Sequence, residues 1–303
     1  QMDIKSKIFL IAGPTASGKS SFAIKLAKKI NGEIINADSM QVYKELNILT
    51  ARPKKKDQKI IKHHLYGFQS VKKKFSTGQW LILAKKKIKE VKKKNKIPIL
   101  VGGTGLYFKA MTEGLVKIPK IPLKLRNRVR DLQKKLGQDE FYKRLIEIDP
   151  LIKNKINPKD PQRSIRAYEV KKYSNVSLID WFKKTDKKFE DEDFLKIYIE
   201  VSRPDLIERI NKRVHQMFKN GVIHEVKGFL KIKVKKDKSP NKIIGIKEID
   251  KFLTGEYDLR AVKDLISIKT RQYAKRQSTW ARGQMSSWQK IDYRDLSVFL
   301  KKF

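Results

Sequence analysis

The chain has 303 residues, 40% of them apolar, and carries 72 Lys and Arg against 32 Asp and Glu, a formal charge of +40, with no cysteine. That length suffices for one large domain or two moderate ones with a buried core, and the lack of cysteine excludes disulfide frameworks, thiolate metal sites and catalytic thiols. So positive a field favours a polyanion, nucleic acid before an anionic membrane, although a lysine-rich habit of composition accounts equally well for the bulk lysines.

Gln1, ahead of Met2, reads as a leftover of cloning. Ile8 to Ala12 is a short apolar run ending at glycine, which predicts a buried parallel strand and not a secretion signal. Ser21 to Ile30 has helical apolar spacing, stopped by Asn31-Gly32. Glu33 to Asp38 predicts a second strand ending at a carboxylate. A lysine-laden helix, Leu81 to Lys94, leads to a third strand, Ile97 to Val101, closed by Gly102-Gly103-Thr104-Gly105. Such alternation predicts an α/β fold with a parallel sheet core, and the G-x-x-x-x-G-K-[ST] loop that follows Ala12 makes that core P-loop NTPase-like. From about Leu115 to Asp186 the sequence is charged, helical in period and broken by prolines, with no convincing strand. Phe194 to Val201 resumes a strand, Pro204 to Lys219 is a strongly amphipathic helix, and Lys231 to Lys242 is a basic loop. The expected organisation is a P-loop core over 1–115, a helical insertion domain over 116–190, and completion of the core with a helical C-terminal part over 191–303. No stretch is long and apolar enough to span a bilayer, so a cytoplasmic location without membrane association is expected.

Gly13-Pro14-Thr15-Ala16-Ser17-Gly18-Lys19-Ser20 fits G-x-x-x-x-G-K-[ST] between a strand and a helix. Its glycines let the backbone wrap a phosphate, the helix dipole adds attraction, Lys19 supplies a charge and Ser20 a hydroxyl for Mg²⁺. The loop does not say which phosphate it holds. Asp38, at the carboxyl end of the second strand, borders the same crevice. There a carboxylate can accept a proton or hold a metal-bound water, and by position alone an exposed turn residue fits as well. Gly102 to Gly105 permits close approach of a ligand or is a plain turn.

Gln162-Arg163-Ser164-Ile165-Arg166 opens a helix with two arginines about one turn apart, suited to phosphate or simply to water. Arg271 to Arg282 mixes arginine, glutamine and aromatics, the stacking planes and amides that RNA contact needs. His63-His64 has no cysteine or acidic cluster nearby and reads as local packing, not a metal site.

Together these residues resemble the bacterial tRNA dimethylallyltransferases, also called tRNA isopentenyltransferases. The resemblance runs from Gly13 to Trp280. It rests on the P-loop, Asp38-Ser39-Met40-Gln41-Val42-Tyr43, Thr50-Ala51-Arg52-Pro53, His63-His64-Leu65 and Val101-Gly102-Gly103-Thr104-Gly105-Leu106-Tyr107. It continues through Asn157-Pro158, Asp160-Pro161-Gln162-Arg163 and Arg271-Gln272-Tyr273-Ala274-Lys275-Arg276-Gln277. The resemblance implies that the P-loop holds the diphosphate of dimethylallyl diphosphate with Mg²⁺, and that Lys19, Asp38 and Thr104 are catalytic, Asp38 as the base on an adenine amine beside the anticodon. It implies tRNA contacts, through the anticodon stem-loop, from Asp38, Ser39, Met40, Gln41, Thr104, Arg126, Gln162 to Arg166, Lys242 and Lys247. Lys275, Arg276, Gln277, Ser278, Thr279, Trp280, Ala281 and Arg282 complete that surface. Arg203 is expected as a further diphosphate clamp, and the protein as a monomer. Ile246 stands where the family usually has tyrosine, and the zinc finger of eukaryotic relatives is absent. A small-molecule P-loop kinase shares the loop and sheet but needs neither the charge nor the Arg271 segment. An RNA-binding NTPase usually closes an apolar strand with Asp-Glu, and here Ser39 follows Asp38.

Overall fold

Three of the apolar runs become neighbouring inner strands of one sheet that are buried throughout: β1 (Ile8–Ala12), β2 (Gly32–Asn36) and β4 (Ile97–Gly102). In the computed structural model the described residues are 4–116, 118–235 and 238–303, so Gln1 lies outside them. β3 (His63–His64), β5 (Leu115–Val116), β6 (Thr185–Asp186), β7 (Phe194–Glu200) and β8 (Gln289–Asp292) complete the strands. The main sheet has the order β3-β2-β4-β1-β7-β8, with every neighbouring pair parallel. Burial on both faces is why the inner strands read as continuous apolar runs, not as alternation. The α/β parallel core is therefore as expected from sequence.

Four pieces differ from the expected elements. His63 and His64 form an edge strand in register with Ile34 and Ile35. β8 extends the sheet from a C-terminal part expected to be helical. In the insertion, β5 and β6 pair antiparallel where no strand was expected. The loop expected at Lys231 to Lys242 holds the end of the Val222–Lys231 helix and a 3₁₀ turn at Ser239–Lys242, with 236 and 237 outside the described residues.

His64 also explains a buried carboxylate. Its Nε2 lies 2.7 Å from Oε2 of Glu33, whose Oε1 is 3.1 Å from Lys96 Nζ. Burial alone would raise the Glu33 carboxyl, but hydrogen bonds from His64 and Lys96 hold it below its ordinary value. Burial pushes His64 down, so Lys96 and, at 3.6 Å, Lys94 supply the positive charge that a buried carboxylate requires.

The chain divides into two compact units, Gln1–Thr112 with Phe189–Phe303, and Glu113–Lys188. In the first, Phe22, Ala23, Leu26 and Ala27 of the Lys19–Lys29 helix pack on the sheet. Trp80, fully buried on the Thr77–Lys92 helix, stacks on Tyr107 at 4.2 Å and donates its indole N–H to Asn36 O at 2.7 Å. In the second, Val129, Phe141, Leu145, Ala167 and Val170 form a separate core, with Gly137 kinking the Leu123–Ile148 helix at φ 74°.

One glycine fixes the approach of β2 to β4. A Cβ on Gly102 would lie 2.0 Å from Ala37 O, a backbone atom beside Asp38. Gly102→Ala should therefore destabilise the protein by about 1–3 kcal/mol, as overpacking does, read as a lower urea midpoint. An unchanged midpoint would show that the backbones separate without cost.

Candidate active site

The P-loop leaves β1 at Ala12 and turns through Ser17 N–H to Pro14 O at 3.2 Å. Gly18, at φ 90°, then caps the Lys19–Lys29 helix in a left-handed conformation that side chains resist. Lys19 Nζ donates to Pro14 O at 3.1 Å. Burial lowers the Lys19 ammonium to about 8, with Asp38 opposing and Arg213 reinforcing the shift. Ser20 is exposed, while the buried Ser17 hydroxyl has no hydrogen-bond partner.

Two arginines that the sequence reading did not select close on this loop. Arg209 Nε donates to Ala16 O and Arg213 Nη1 to Thr15 Oγ1, both at 2.7 Å. They are four residues apart on the Arg203–Lys219 helix and so share a face. Burial pushes the Arg213 guanidinium below its ordinary value and Asp38 opposes this. Arg203, the residue expected to clamp diphosphate, is exposed at the first position of the helix, on a cleft of about 890 Å³ that Pro14 also lines. The i, i+4 spacing inside an amphipathic helix was the available signal for Arg209 and Arg213.

Asp38 sits two residues past β2. Its backbone is held on both sides by the fully buried Asn36, whose Oδ1 accepts from Asp38 N–H at 2.8 Å and whose Nδ2 donates to Asp38 O at 2.9 Å. Asp38 Oδ1 accepts from Met40 N–H at 2.9 Å. Thr104 joins this turn to the glycine loop: its Oγ1 accepts from Ser39 N–H at 2.9 Å and donates to Ser39 Oγ at 3.2 Å. Three phenols, Tyr66, Tyr107 and Tyr273, are raised by burial first and by the charge of Asp38 second. The carboxylate thus acts electrostatically on Lys19 of the P-loop, on Arg213 and on these tyrosines.

The third wall is the Leu259–Gln284 helix. Gln277 Oε1 accepts from Thr15 N–H at 2.8 Å and its Nε2 donates to Gly103 O at 3.0 Å. Trp280 packs on Gly105, where a Cβ would lie 2.3 Å from the indole. A pocket of about 280 Å³ lies between Gly13, Thr104, Phe108, Tyr198, Tyr273 and Trp280.

Of the expected tRNA contacts on this unit, Lys242, Lys247, Lys275, Arg276, Thr279 and Arg282 are exposed and Ser278 is partly so. Gln277 and Trp280 are partly buried, against Thr15 and Gly103 and against Gly105 respectively, and Ala281 is 5% exposed. Gln41 donates its amide to Thr50 O and Ala51 O. Ile246 is buried in the core that Leu49 and Ile266 share. The insertion, taken by itself, exposes Gln162 and Arg163 at a helix start capped by Asp160. It buries Ser164 completely, with its hydroxyl donated to Asp160 O at 2.7 Å, and packs Ile165 against the core. Arg126 and Arg166 each lie 3.6 Å from the buried Glu169, a residue the sequence reading passed over.

Comparison with known proteins adds to this geometry. A family model described as IPP transferase matches residues 41–284. The chain is 62% identical over 301 residues to the tRNA dimethylallyltransferase of Pelagibacter ubique (strain HTCC1062), covering 99% of this chain and 96% of that protein. It is 42% identical over 297 residues to the enzyme of that name from Rickettsia massiliae (strain Mtu5), covering 97% and 82%. Among solved structures, the full-length tRNA isopentenylpyrophosphate transferase from Bacillus halodurans superposes with a TM-score of 0.69 at 30% identity, covering 98% of this chain and 95% of that one. A eukaryotic dimethylallyltransferase acting on tRNA gives 0.82 at 29% identity, covering 96% and 75%.

Proposed function

The chain belongs to the IPP transferase family and is a tRNA prenyltransferase, and from this we propose that it moves a dimethylallyl group from dimethylallyl diphosphate to an adenine of tRNA. The acceptor is the exocyclic amine of the adenine on the 3′ side of the anticodon. The observation that carries this reading is the convergence of a phosphate-cradling loop, a carboxylate and a partly apolar pocket at one sheet edge. Family membership favours prenyl transfer over a small-molecule kinase or an RNA-binding NTPase.

The chemistry follows from the side chains. The adenine nitrogen attacks the allylic carbon as the carbon–oxygen bond breaks, and the bonding electron pair leaves with diphosphate. Lys19, Arg213 and the loop N–H groups stabilise that charge. An adenine amine is a poor nucleophile, so Asp38 takes its proton, through Oδ2 because Oδ1 is engaged by Met40 N–H. Thr104 holds the Asp38 turn against the glycine loop and keeps the base in place. The flipped adenine leaves its stack to reach the pocket.

Mg²⁺ fits this site with few direct protein ligands. Among the described residues no group of three His, Cys, Asp or Glu is placed to hold a metal, so Ser20 and the diphosphate oxygens would be its ligands, as is common for Mg²⁺ on phosphates. When bound, it would neutralise leaving-group charge. We read the enzyme as a monomer, since one chain supplies the P-loop, base and third wall. No helix among the described residues is long and apolar enough to cross a membrane, and a cytoplasmic location suits a tRNA substrate.

The decisive assay incubates the protein with labelled dimethylallyl diphosphate, Mg²⁺ and bulk tRNA. Label in RNA supports the reading; ADP formed from ATP with a small acceptor, or RNA-stimulated ATP hydrolysis without label, sinks it. Binding of tRNA should fall steeply with salt through counterion release. Arg276→Ala and Arg282→Ala should each weaken it and reduce the salt slope by about one, whereas Lys86→Ala, at an exposed position of the Thr77–Lys92 helix, should change neither. Equal behaviour of all three would mean that the charge acts diffusely.

A further inference from the structure

Gln277 lies within a segment whose resemblance implies contact with tRNA, yet its side chain is committed elsewhere. Its Oε1 receives Thr15 N–H and its Nε2 gives to Gly103 O. Only this amide orientation satisfies both neighbours, because one is a backbone donor and the other a backbone acceptor. The approach is tight: a Cβ on Gly103 would lie 2.4 Å from Gln277 Nε2, which gives the glycine at 103 a physical reason. Thr15 is also held through its hydroxyl by Arg213, and Gly103 is covalently joined to Thr104, which binds the turn carrying Asp38.

We propose that Gln277 is a positioning residue that braces the donor loop against the acceptor loop and thereby sets the distance between leaving diphosphate and base. The connection runs from Thr15 through Gln277 and Gly103 to Thr104, Ser39 and Asp38. Lys19 and Asp38 belong to different strand–loop units, and within this connection the Gln277 amide joins the P-loop to the glycine loop, which the Thr104 hydroxyl ties to the Asp38 turn. Displacement reactions need the nucleophile and the carbon held in a near-attack arrangement, and a misplacement of about 1 Å costs on the order of 10²-fold. A brace of this kind affects the rate at saturation more than either affinity. The proposal rests on the prenyl-transfer reading for its effect on rate, but the hydrogen bonds themselves can be read without it.

Two variants remove the brace by different routes. Gln277→Met keeps the side-chain length and loses both hydrogen bonds. Gly103→Ala keeps Gln277 but displaces its amide. Each is compared with the unsubstituted protein in thermal melting, hydrogen exchange at the Thr15 amide, tRNA Kd without donor, and single-turnover rate at saturating tRNA and dimethylallyl diphosphate. Folded variants should show Thr15 exchange at least about ten-fold faster, since its N–H loses its acceptor. The saturated rate should fall about ten- to hundred-fold, with tRNA Kd within about two-fold of the parent. Unchanged Thr15 protection overturns the brace, as does a loss of tRNA affinity exceeding the loss of rate, which is what an RNA contact would give. If the unsubstituted protein itself puts no label into tRNA, the prenyl-transfer reading fails, and Thr15 exchange still decides whether Gln277 holds the loops.

Discussion

Asp38→Asn should lower the single-turnover rate about 10²–10⁴-fold, the usual range for a general base, with affinity for dimethylallyl diphosphate little changed. Asparagine preserves size, and its side-chain oxygen still accepts Met40 N–H, so the turn held by Asn36 and Thr104 survives. What it cannot do is accept the proton of the adenine amine. A competing role is electrostatic, since Asp38 raises the ammonium of Lys19 and the guanidinium of Arg213. It could also hold Mg²⁺ through water, in which case the variant would lose donor affinity and recover at high Mg²⁺. Donor affinity and single-turnover rate measured across a Mg²⁺ series separate these roles. A rate defect that disappears at saturating Mg²⁺ rejects the base assignment.

Lys19→Ala should reduce transfer by at least about 10³-fold, since removal of even one uncharged donor to a developing anion costs about 10²–10³-fold. The fold should persist, because the Lys19 ammonium donates to Pro14 O within its own loop and ties no distant element together. The pH dependence gives an independent reading. Burial places the Lys19 ammonium at about 8 before substrate binds, so the form able to attract diphosphate is lost as pH rises through that value. Accordingly kcat/KM for the donor should decline above pH 8. Bound diphosphate stabilises the ammonium, so kcat should hold to higher pH. A kcat/KM that stays level to pH 9.5, or a folded Lys19→Ala protein with near-normal turnover, would remove Lys19 from the donor site.

The readable part of this site is contiguous in the chain. A P-loop works through successive backbone N–H groups, so its residue types stand side by side, and the flanking strand and helix can be checked in the same glance. Asp38 and Gly102 to Gly105 were legible because they end apolar runs, and strand ends in a parallel sheet share one edge. What escaped notice depends on contacts distant in sequence. Arg209 and Arg213 are two ordinary cations of a charged helix until that helix packs beside Thr15 and Ala16. Helix phase was the second loss: Gln277 and Ala281 belong to a stretch whose composition suits RNA, but tertiary packing turns them inward while Arg276 and Arg282 face solvent. Ser164 was lost in the same way within the insertion. β3 and β8 lack the apolar pattern of strands because each is an edge strand formed by pairing with β2 or β7, which intrinsic preference does not report.

The position of β1 between β4 and β7 has a consequence for biosynthesis. Ile8 to Ala12 are made well before their partner strand, since one side of β1 pairs with Phe194 to Tyr198, which leave the ribosome only after the whole Glu113–Lys188 unit. At about 5–20 residues per second, the nascent chain carries an apolar strand with one unpaired side for on the order of ten seconds or longer. Exposed strand edges of this kind recruit other chains, so early β1–β4 pairing halves the hazard without ending it. Chaperone dependence during synthesis, and aggregation of chains truncated ahead of Phe194, are the cellular signatures to seek.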